Sequence, residues 1–236
     1  MQVLLTAVTV NGHGLFRFGA MARTITSLEL QKNNKERVNV FLDGEYAFSL
    51  SLIRAAQLKR GQALADEEVQ RLLAEDERAR AYERALTYLS YRPRSQAEVE
   101  RYLLQKGWSE LTVREVIERL EQENLLNDRE FARFWVENRE RFRPRGRMAL
   151  RYEMLHKGLE RDIVEETLED FDEEQSAYSL ARARAKHETG LSPKEFRFRL
   201  GQYLARRGFD FSVIETVVSR LEREAGQLGD DDGEDV

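Results

Sequence analysis

Residues 138–158 read NRERFRPRGRMALRYEMLHKG. Arg139, Arg141, Arg143, Arg145, Arg147 and Arg151 stand here against one acid, Glu140, while Leu150 and Met154 keep an apolar stripe at helical spacing. A segment both basic and patterned predicts a packed helix whose first turns hold out a cationic surface. Its Pro144 and Gly158 also belong to a series. The three prolines of the chain, Pro93, Pro144 and Pro193, precede Gly107, Gly158 and Gly208 by 14, 14 and 15 residues.

Apolar positions recur in step with those pairs. Val99, Leu150 and Leu200 correspond, as do Leu103, Met154 and Leu204, and then Trp108, Leu159 and Phe209 beyond the glycine. Further on, Val113, Val164 and Ile214, Ile117, Leu168 and Val218, and Leu120, Phe171 and Leu221 fall into register. The chain is therefore a tandem repeat with a period of about 50 residues. Each copy reads as helix, proline-containing turn, helix, glycine, helix.

In the first copy, Ser95 with Glu98 and Thr112 with Glu115 have the spacing of capping boxes, and Gly107 supplies a left-handed residue after its helix. Val113, Val116, Ile117 and Leu120 form one buried stripe. The first helices align less well. Tyr82, Ala85 and Leu86 match Phe131, Phe134 and Trp135 only if the second copy has a loop two residues longer.

A unit of this size buries little apolar surface by itself, so the fold expected is mainly α, three three-helix repeats stacked into an elongated, curved array. Trp108, Phe134, Trp135, Phe171 and Phe209 are assigned to packing within and between repeats. Ahead of the repeats, alternation from Ile25 to Leu50 with Asp43-Gly44 between two runs predicts a three-stranded meander with a tight hairpin, packed on the first helix. A short helix over Ser51–Gln57 and a helix capped by Asp66 and carrying Val69, Leu72 and Leu73 follow, with no further strand from Ala63 onward. The boundaries expected are an unstructured extension at 1–22, a β-plus-helix region at 23–76, repeats at 77–127, 128–175 and 176–225, and an acidic disordered tail at 226–236.

Composition narrows the function. The 236 residues are 41% hydrophobic and 34% charged, which excludes overall disorder. The net charge of -5 comes from Asp230 to Val236, which holds five acids and no base, so overall charge says nothing about partners. Lack of cysteine excludes disulfides, thiolate metal sites and a cysteine nucleophile. MQVLLTAVTV is too short to cross a bilayer and has no basic start, which leaves a cytoplasmic address and either Met1 or Met21 as the start. His13, His156 and His187 are scattered, and no phosphate loop, nucleophile elbow or HExxH pattern occurs, so neither an enzyme nor a cofactor or metal site is expected. The run Asp170, Asp172, Glu173, Glu174 reads as a solvated helix end.

Charge alternates in blocks: +5 over Asn138–Arg151, -7 over Lys157–Ser176 and +6 over Ala181–Arg207. The binding candidates are Arg139, Arg141, Arg143, Arg145, Arg147 and Arg151, with Arg197, Arg199, Arg206 and Arg207 from the second basic block. Arginine outnumbers lysine there, as suits bidentate contact with carboxylate or phosphate, and free amides at a helix start would add to an anion site. The residues do not decide between acidic side chains and DNA phosphates.

With LLNDREFARFWVENRERFRPRGRMALRYEMLHKGL (125–159), YRPRSQAEVERYLLQKG (91–107) and the threefold arrangement in hand, the chain resembles the RecX regulators of the RecA recombinase over about Glu67–Glu224. The resemblance implies a non-enzymatic, monomeric modulator that lodges in the groove of the RecA filament, beside or on its single-stranded DNA. There it would suppress recombinase activity and ATP hydrolysis. Two other classes stay open: a DNA-binding protein of tandem helix-turn-helix units, against which the acidic third helix Asp162–Glu174 counts, and a general protein-interaction scaffold.

Overall fold

The computed structural model describes residues 22–188 and 190–230, by backbone alone over 225–230. Residues 1–21 and 231–236, on which the expected extension and acidic tail mainly fall, lie outside the described residues. The chain divides into two compact units, one running up to Thr87 and including Lys106–Val116, the other comprising Tyr88–Gln105 and Ile117 onward.

The first unit opens with strands β1 (Arg23–Leu30), β2 (Arg37–Leu42) and β3 (Glu45–Ser51), the expected meander. Asp43 and Gly44 take φ values of 50° and 91°, the two positive angles that a tight hairpin between twisted strands requires. After the short helix α1 (Leu52–Ala55), a further strand, β4 (Ala63–Leu64), pairs with Arg23 and Thr24, giving an antiparallel sheet of order β3-β2-β1-β4. This corrects the expectation of no strand from Ala63 onward. Two residues are too few to show alternation, and only pairing identifies them.

Helix α2 (Asp66–Leu89) is continuous. Its first turn bonds back to the Ala65 carbonyl, so Asp66 lies inside the helix rather than capping it. Asp76 on α2 is 2% exposed and ties the helix to the sheet. Its carboxylate accepts from the Ser51 amide (2.8 Å) and pairs with Arg37 (3.0 Å) and Arg80 (3.1 Å). Sequence reading passed over this clamp. The unit's apolar core gathers Ile25, Val40, Leu50, Leu64 and Val69.

Helices α3 (Gln96–Gln105), α4 (Glu110–Gln122), α5 (Asp128–Phe142), α6 (Arg147–His156), α7 (Arg161–Glu169), α8 (Glu173–Ala185), α9 (Pro193–Ala205) and α10 (Phe211–Asp230) complete three sets of three. The Ser95–Glu98 capping box is present, with both reciprocal bonds. The second expected box is not. Ser109 accepts from the Thr112 amide (3.1 Å), the Thr112 hydroxyl donates to Glu77 (3.0 Å), and Glu115 pairs with Arg78. A hydroxyl one turn earlier takes the cap and leaves Thr112 for tertiary use.

Two cores lie within the second unit. Phe131, Ala132, Val136, Leu150, Met154, Val164, Leu168 and Phe171 close around α5–α7, and Ala177, Ala181, Leu200, Leu204, Ile214, Val218 and Leu221 around α8–α10. The small residues correct the alignment of the first helices. Ala81 and Ala85 are buried in α2 as Ala132 and Val136 are in α5, each pair 51 residues apart, the same offset as Gly107 and Gly158, so no longer loop is needed. Of the aromatics assigned to packing, Phe171 and Phe209 are buried, Trp108 and Trp135 half-buried, and Phe134 is exposed.

One joint recurs between neighbouring repeats in this unit. The Ser95 hydroxyl donates to the Lys157 carbonyl (2.6 Å), and one repeat later the Gly146 amide donates to the Arg207 carbonyl (3.0 Å). Beside it, the Gln96 amide donates to Asp128 (2.8 Å) and the Arg147 amide to Glu173 (2.9 Å). The start of each second helix thus rests on the glycine ending the next repeat's second helix. A Cβ on Gly158 would lie 2.3 Å from that of Ala97, and one on Gly208 2.6 Å from that of Ala149.

Gly146 has an ordinary φ of -73°, yet its Cβ would fall 2.1 Å from the Gly208 carbonyl oxygen. Gly146→Ala should therefore lower stability by about 2 kcal/mol or more in urea denaturation, through overpacking alone. Gly107→Ala, strained in φ but with nothing within 4 Å, should cost only about 1 kcal/mol.

Candidate interaction surface

The arginine-rich turn lies between α5 and α6, inside the second unit. Pro144 keeps the residue before it out of the helical region, and Arg143 ends α5 with φ -151° and ψ 71°. From there the ten candidate arginines separate by the partners their guanidinium groups find.

Arg139 and Arg145 converge on Glu153 of α6, at 2.6 and 3.7 Å, and the Trp135 indole donates to the same carboxylate (3.0 Å). Arg139 also lies over the Trp135 ring at 4.1 Å. Arg147 donates to the carbonyls of Leu168 and Phe171, the second at 2.7 Å, and its Nε is 3.5 Å from Glu173. It thereby satisfies carbonyls at the end of α7, where the helix dipole favours a cation. Arg151 holds Glu165 with two bonds of 2.7 and 2.6 Å, and these raise the arginine's pKa and lower that of the carboxyl.

In the second block Arg197 pairs with Glu222, Arg199 with Glu188 (3.3 Å), and Arg207 donates to the Pro144 carbonyl (3.4 Å) across the joint. Among the described residues, Arg141, Arg143 and Arg206 have no carboxylate partner. All three are exposed.

Two further expectations give way. Of the amides at the start of α6, those of Gly146 and Arg147 are engaged, by the Arg207 carbonyl and the Glu173 carboxylate, so these two are not free to add to an anion site. Glu173 is correspondingly no solvated helix end. It is 7% exposed and also accepts from the Asp210 amide (3.2 Å). A signal for such acids was available: Glu77, Asp128 and Glu173 each stand four residues before a buried alanine, Ala81, Ala132 and Ala177. Burial, with the neighbouring Glu137 and Asp172, raises the pKa of Glu140, the one acid of the block.

The first repeat repeats the turn as Tyr91-Arg92-Pro93-Arg94. Arg92 is answered there by Glu98 (2.9 Å), which also accepts from Lys157 across the joint (2.7 Å). Burial opposes ionisation of Glu98, but the bonds from Arg92 and Lys157 prevail and hold its carboxyl at about 2. For Asp128 burial wins over the Gln96 amide, and its pKa is raised. Among the described residues no group of three or more His, Asp or Glu side chains could hold a metal ion, and no helix is long and apolar enough to cross a membrane.

Four family models match the chain in order: the regulatory protein RecX N-terminal domain over residues 23–65, and the RecX first, second and third three-helix domains over 81–120, 127–168 and 172–218. The regulatory protein RecX of Bacillus subtilis (strain 168) is 37% identical over 205 residues, which cover 85% of this chain and 78% of that one. That of Clostridium perfringens is 30% identical over 204 residues, covering 84% and 95%. Among solved structures, a crystal structure of regulatory protein RecX superposes with a TM-score of 0.64 at 26% identity, covering 83% of this chain and 98% of the other. The RecX structure from Lactobacillus salivarius gives 0.58 at 26% identity, covering 63% and 98%.

The division of the arginines is testable by thermal or urea denaturation. Arg147→Ala should cost about 2 kcal/mol, leaving buried carbonyls and Glu173 without their donor, whereas Arg143→Ala should stay within about 0.5 kcal/mol of the parent. The Glu98 shift makes a second prediction. A depressed folded pKa contributes stability that is present above the ordinary value of 4.5 and lost as pH falls through the folded value of about 2. Glu98→Gln should thus be less stable than the parent by about 1–2 kcal/mol at pH 7, after discounting for solvent screening, with the gap closing between pH 4.5 and about 2.

Proposed function

The chain belongs to the RecX family of regulatory proteins, and we propose that it is a negative modulator of the RecA recombinase. It binds the filament that RecA forms on single-stranded DNA, seats in the filament's helical groove, and suppresses strand exchange, ATP hydrolysis and filament growth. It does so as a cytoplasmic monomer and without catalytic chemistry of its own. The observation that carries this reading is the match of all four RecX domains, in order, over residues 23–218.

The joint between repeats supports it. Successive units locked by the same contacts present similar surfaces at fixed spacing, and a filament presents the same subunit surface repeatedly. Several weak contacts then combine by effective concentration rather than by one large interface. Of the ten candidate arginines, Arg141, Arg143 and Arg206 have no carboxylate partner among the described residues and are offered to the filament, whereas Arg139, Arg145, Arg147, Arg151 and Arg207 hold the repeats in shape.

Addition of the purified protein to RecA filaments preassembled on single-stranded DNA should slow ATP hydrolysis and strand exchange at about stoichiometric ratio. Unchanged rates would remove the reading. Replacing Arg141, Arg143 and Arg206 together by alanine should weaken inhibition while leaving the thermal midpoint in place.

A further inference from the structure

Between α5 and α7 the second repeat holds a cavity of about 360 Å³. Its floor is Val136 and Phe171 from the repeat's core, and its walls include Glu137, Glu140, Asp170 and Asp172. At one end Arg129 is spent on Glu166, and Arg133 is exposed. Among the described residues Glu137, Glu140 and Asp170 have no cationic partner, and all three are exposed.

The third repeat closes the corresponding place with its own side chains, and the first has the same residues for it. Counted from the buried alanines Ala81, Ala132 and Ala177, Arg133 corresponds to Tyr82 and Tyr178. Counted from Leu120, Phe171 and Leu221, Asp170 corresponds to Arg119 and Arg220. In the third repeat Tyr178 packs against the core, and the Arg220 guanidinium lies 4.0 Å from the centre of its ring. Both donate to Glu224, at 2.9 and 3.0 Å, and lower its pKa. In the second repeat the ring is gone and the arginine is replaced by an acid. Glu137 likewise stands where the other two have Leu86 and Arg182, and Glu140 where they have Leu89 and Ala185. Carboxylates that crowd one opening repel one another and do nothing for folding, as the raised pKa of Glu140 reflects. The second repeat has lost its own cation here and kept the room for one.

We infer that this cavity receives an arginine side chain of the partner protein, with the guanidinium held by the carboxylates of Glu140 and Asp170 and the stem lying on Val136 and Phe171. The incoming group takes the part that Arg220 plays inside the third repeat. Arginine suits the place better than lysine, because its planar fork meets carboxylates bidentately and is less strongly hydrated, while its stem covers apolar surface. Phosphate is repelled by such walls, so the ligand is a protein and not a nucleic acid. Nor do the acids converge on a metal site among the described residues. The inference rests on the modulator reading for the partner, the RecA filament, and on the contrast between the repeats for the chemistry.

The test measures how much protein half-inhibits ATP hydrolysis by RecA filaments preassembled on single-stranded DNA, with the thermal midpoint and oligothymidylate binding of each variant followed alongside. Glu137→Gln/Glu140→Gln/Asp170→Asn should need about tenfold more protein at an equal or higher thermal midpoint, since repulsion is relieved. Arg133→Tyr/Asp170→Arg, which refills the cavity as the third repeat does, should lose inhibition to a similar degree and stay folded. Glu100→Gln/Glu118→Gln/Glu121→Gln, which neutralises exposed acids away from the cavity, should inhibit like the parent. Oligothymidylate binding should not weaken in any of them, because removing acids takes away no phosphate contact. Parent-like inhibition by both cavity variants at unchanged midpoints overturns the inference, as does an equal loss in the variant altered elsewhere or a loss that follows oligothymidylate binding. Self-association of the parent in sedimentation velocity that the refilled variant abolishes assigns the cavity to a second copy and overturns it too. Unchanged hydrolysis with the parent itself is a distinct result, which removes the modulator reading and this inference with it.

Discussion

The helical part of the second unit depends on one small contact made twice. The first turn of a second helix comes down on the glycine that ends the second helix of the following repeat, at Gly158 and again at Gly208. The glycine is needed on two counts: its φ is +87° or +81°, where an L side chain is strained, and a Cβ would collide with Ala97 or Ala149. So close an approach lets main-chain and hydroxyl donors of one repeat reach the carbonyl just before the glycine of the next. Asp128 and Glu173 then take the next amide in each case. Each three-helix unit is small, and its position is fixed by polar contacts that an apolar interface alone would leave free to slide.

That joint also decides what the arginines do. A basic residue precedes each of the two glycines, and both reach back, Lys157 to Glu98 and Arg207 to the Pro144 carbonyl. Arg147, at the start of α6, would be ill placed in the field of its own helix, but its side chain extends to the far end of α7, where the exposed carbonyls want a cation. A block of like charge is thereby largely distributed among internal partners. Of the ten candidate arginines, three have no carboxylate partner among the described residues, Arg141, Arg143 and Arg206, and the exposed Phe142 lies between the first two.

Much of the architecture was legible because it rests on periodicities. Pro144, Gly158 and the apolar positions Leu150, Met154, Val164 and Leu168 announce a helix pair and its buried stripe, and all four of those apolar residues are fully buried. Asp43-Gly44 announces a hairpin because few other pairs tolerate two positive φ values. The misses are of a different kind. β4 is two residues of strand defined by what lies beside it, and the cap at Ser109 competes with Thr112 on equal local terms. The alignment of the first helices failed because aromatic residues were matched, whereas alanines face the core where helices pack closely.

The amino-acid sequence by itself determined that this is a tandem array of three helical units behind a small sheet, and which family it belongs to. Those properties follow from local rules: hydrophobic period, turn residues and caps act over a few positions and repeat every 50 or so. Only the tertiary structure decided which arginines are structural and which are free. A guanidinium reaches several ångströms from its backbone, and whether it meets Glu153, Glu165, the carbonyls of α7 or water depends on residues 14 to 24 positions away brought close by packing. Charge in a sequence fixes only what a side chain can pair with; the fold supplies the partner.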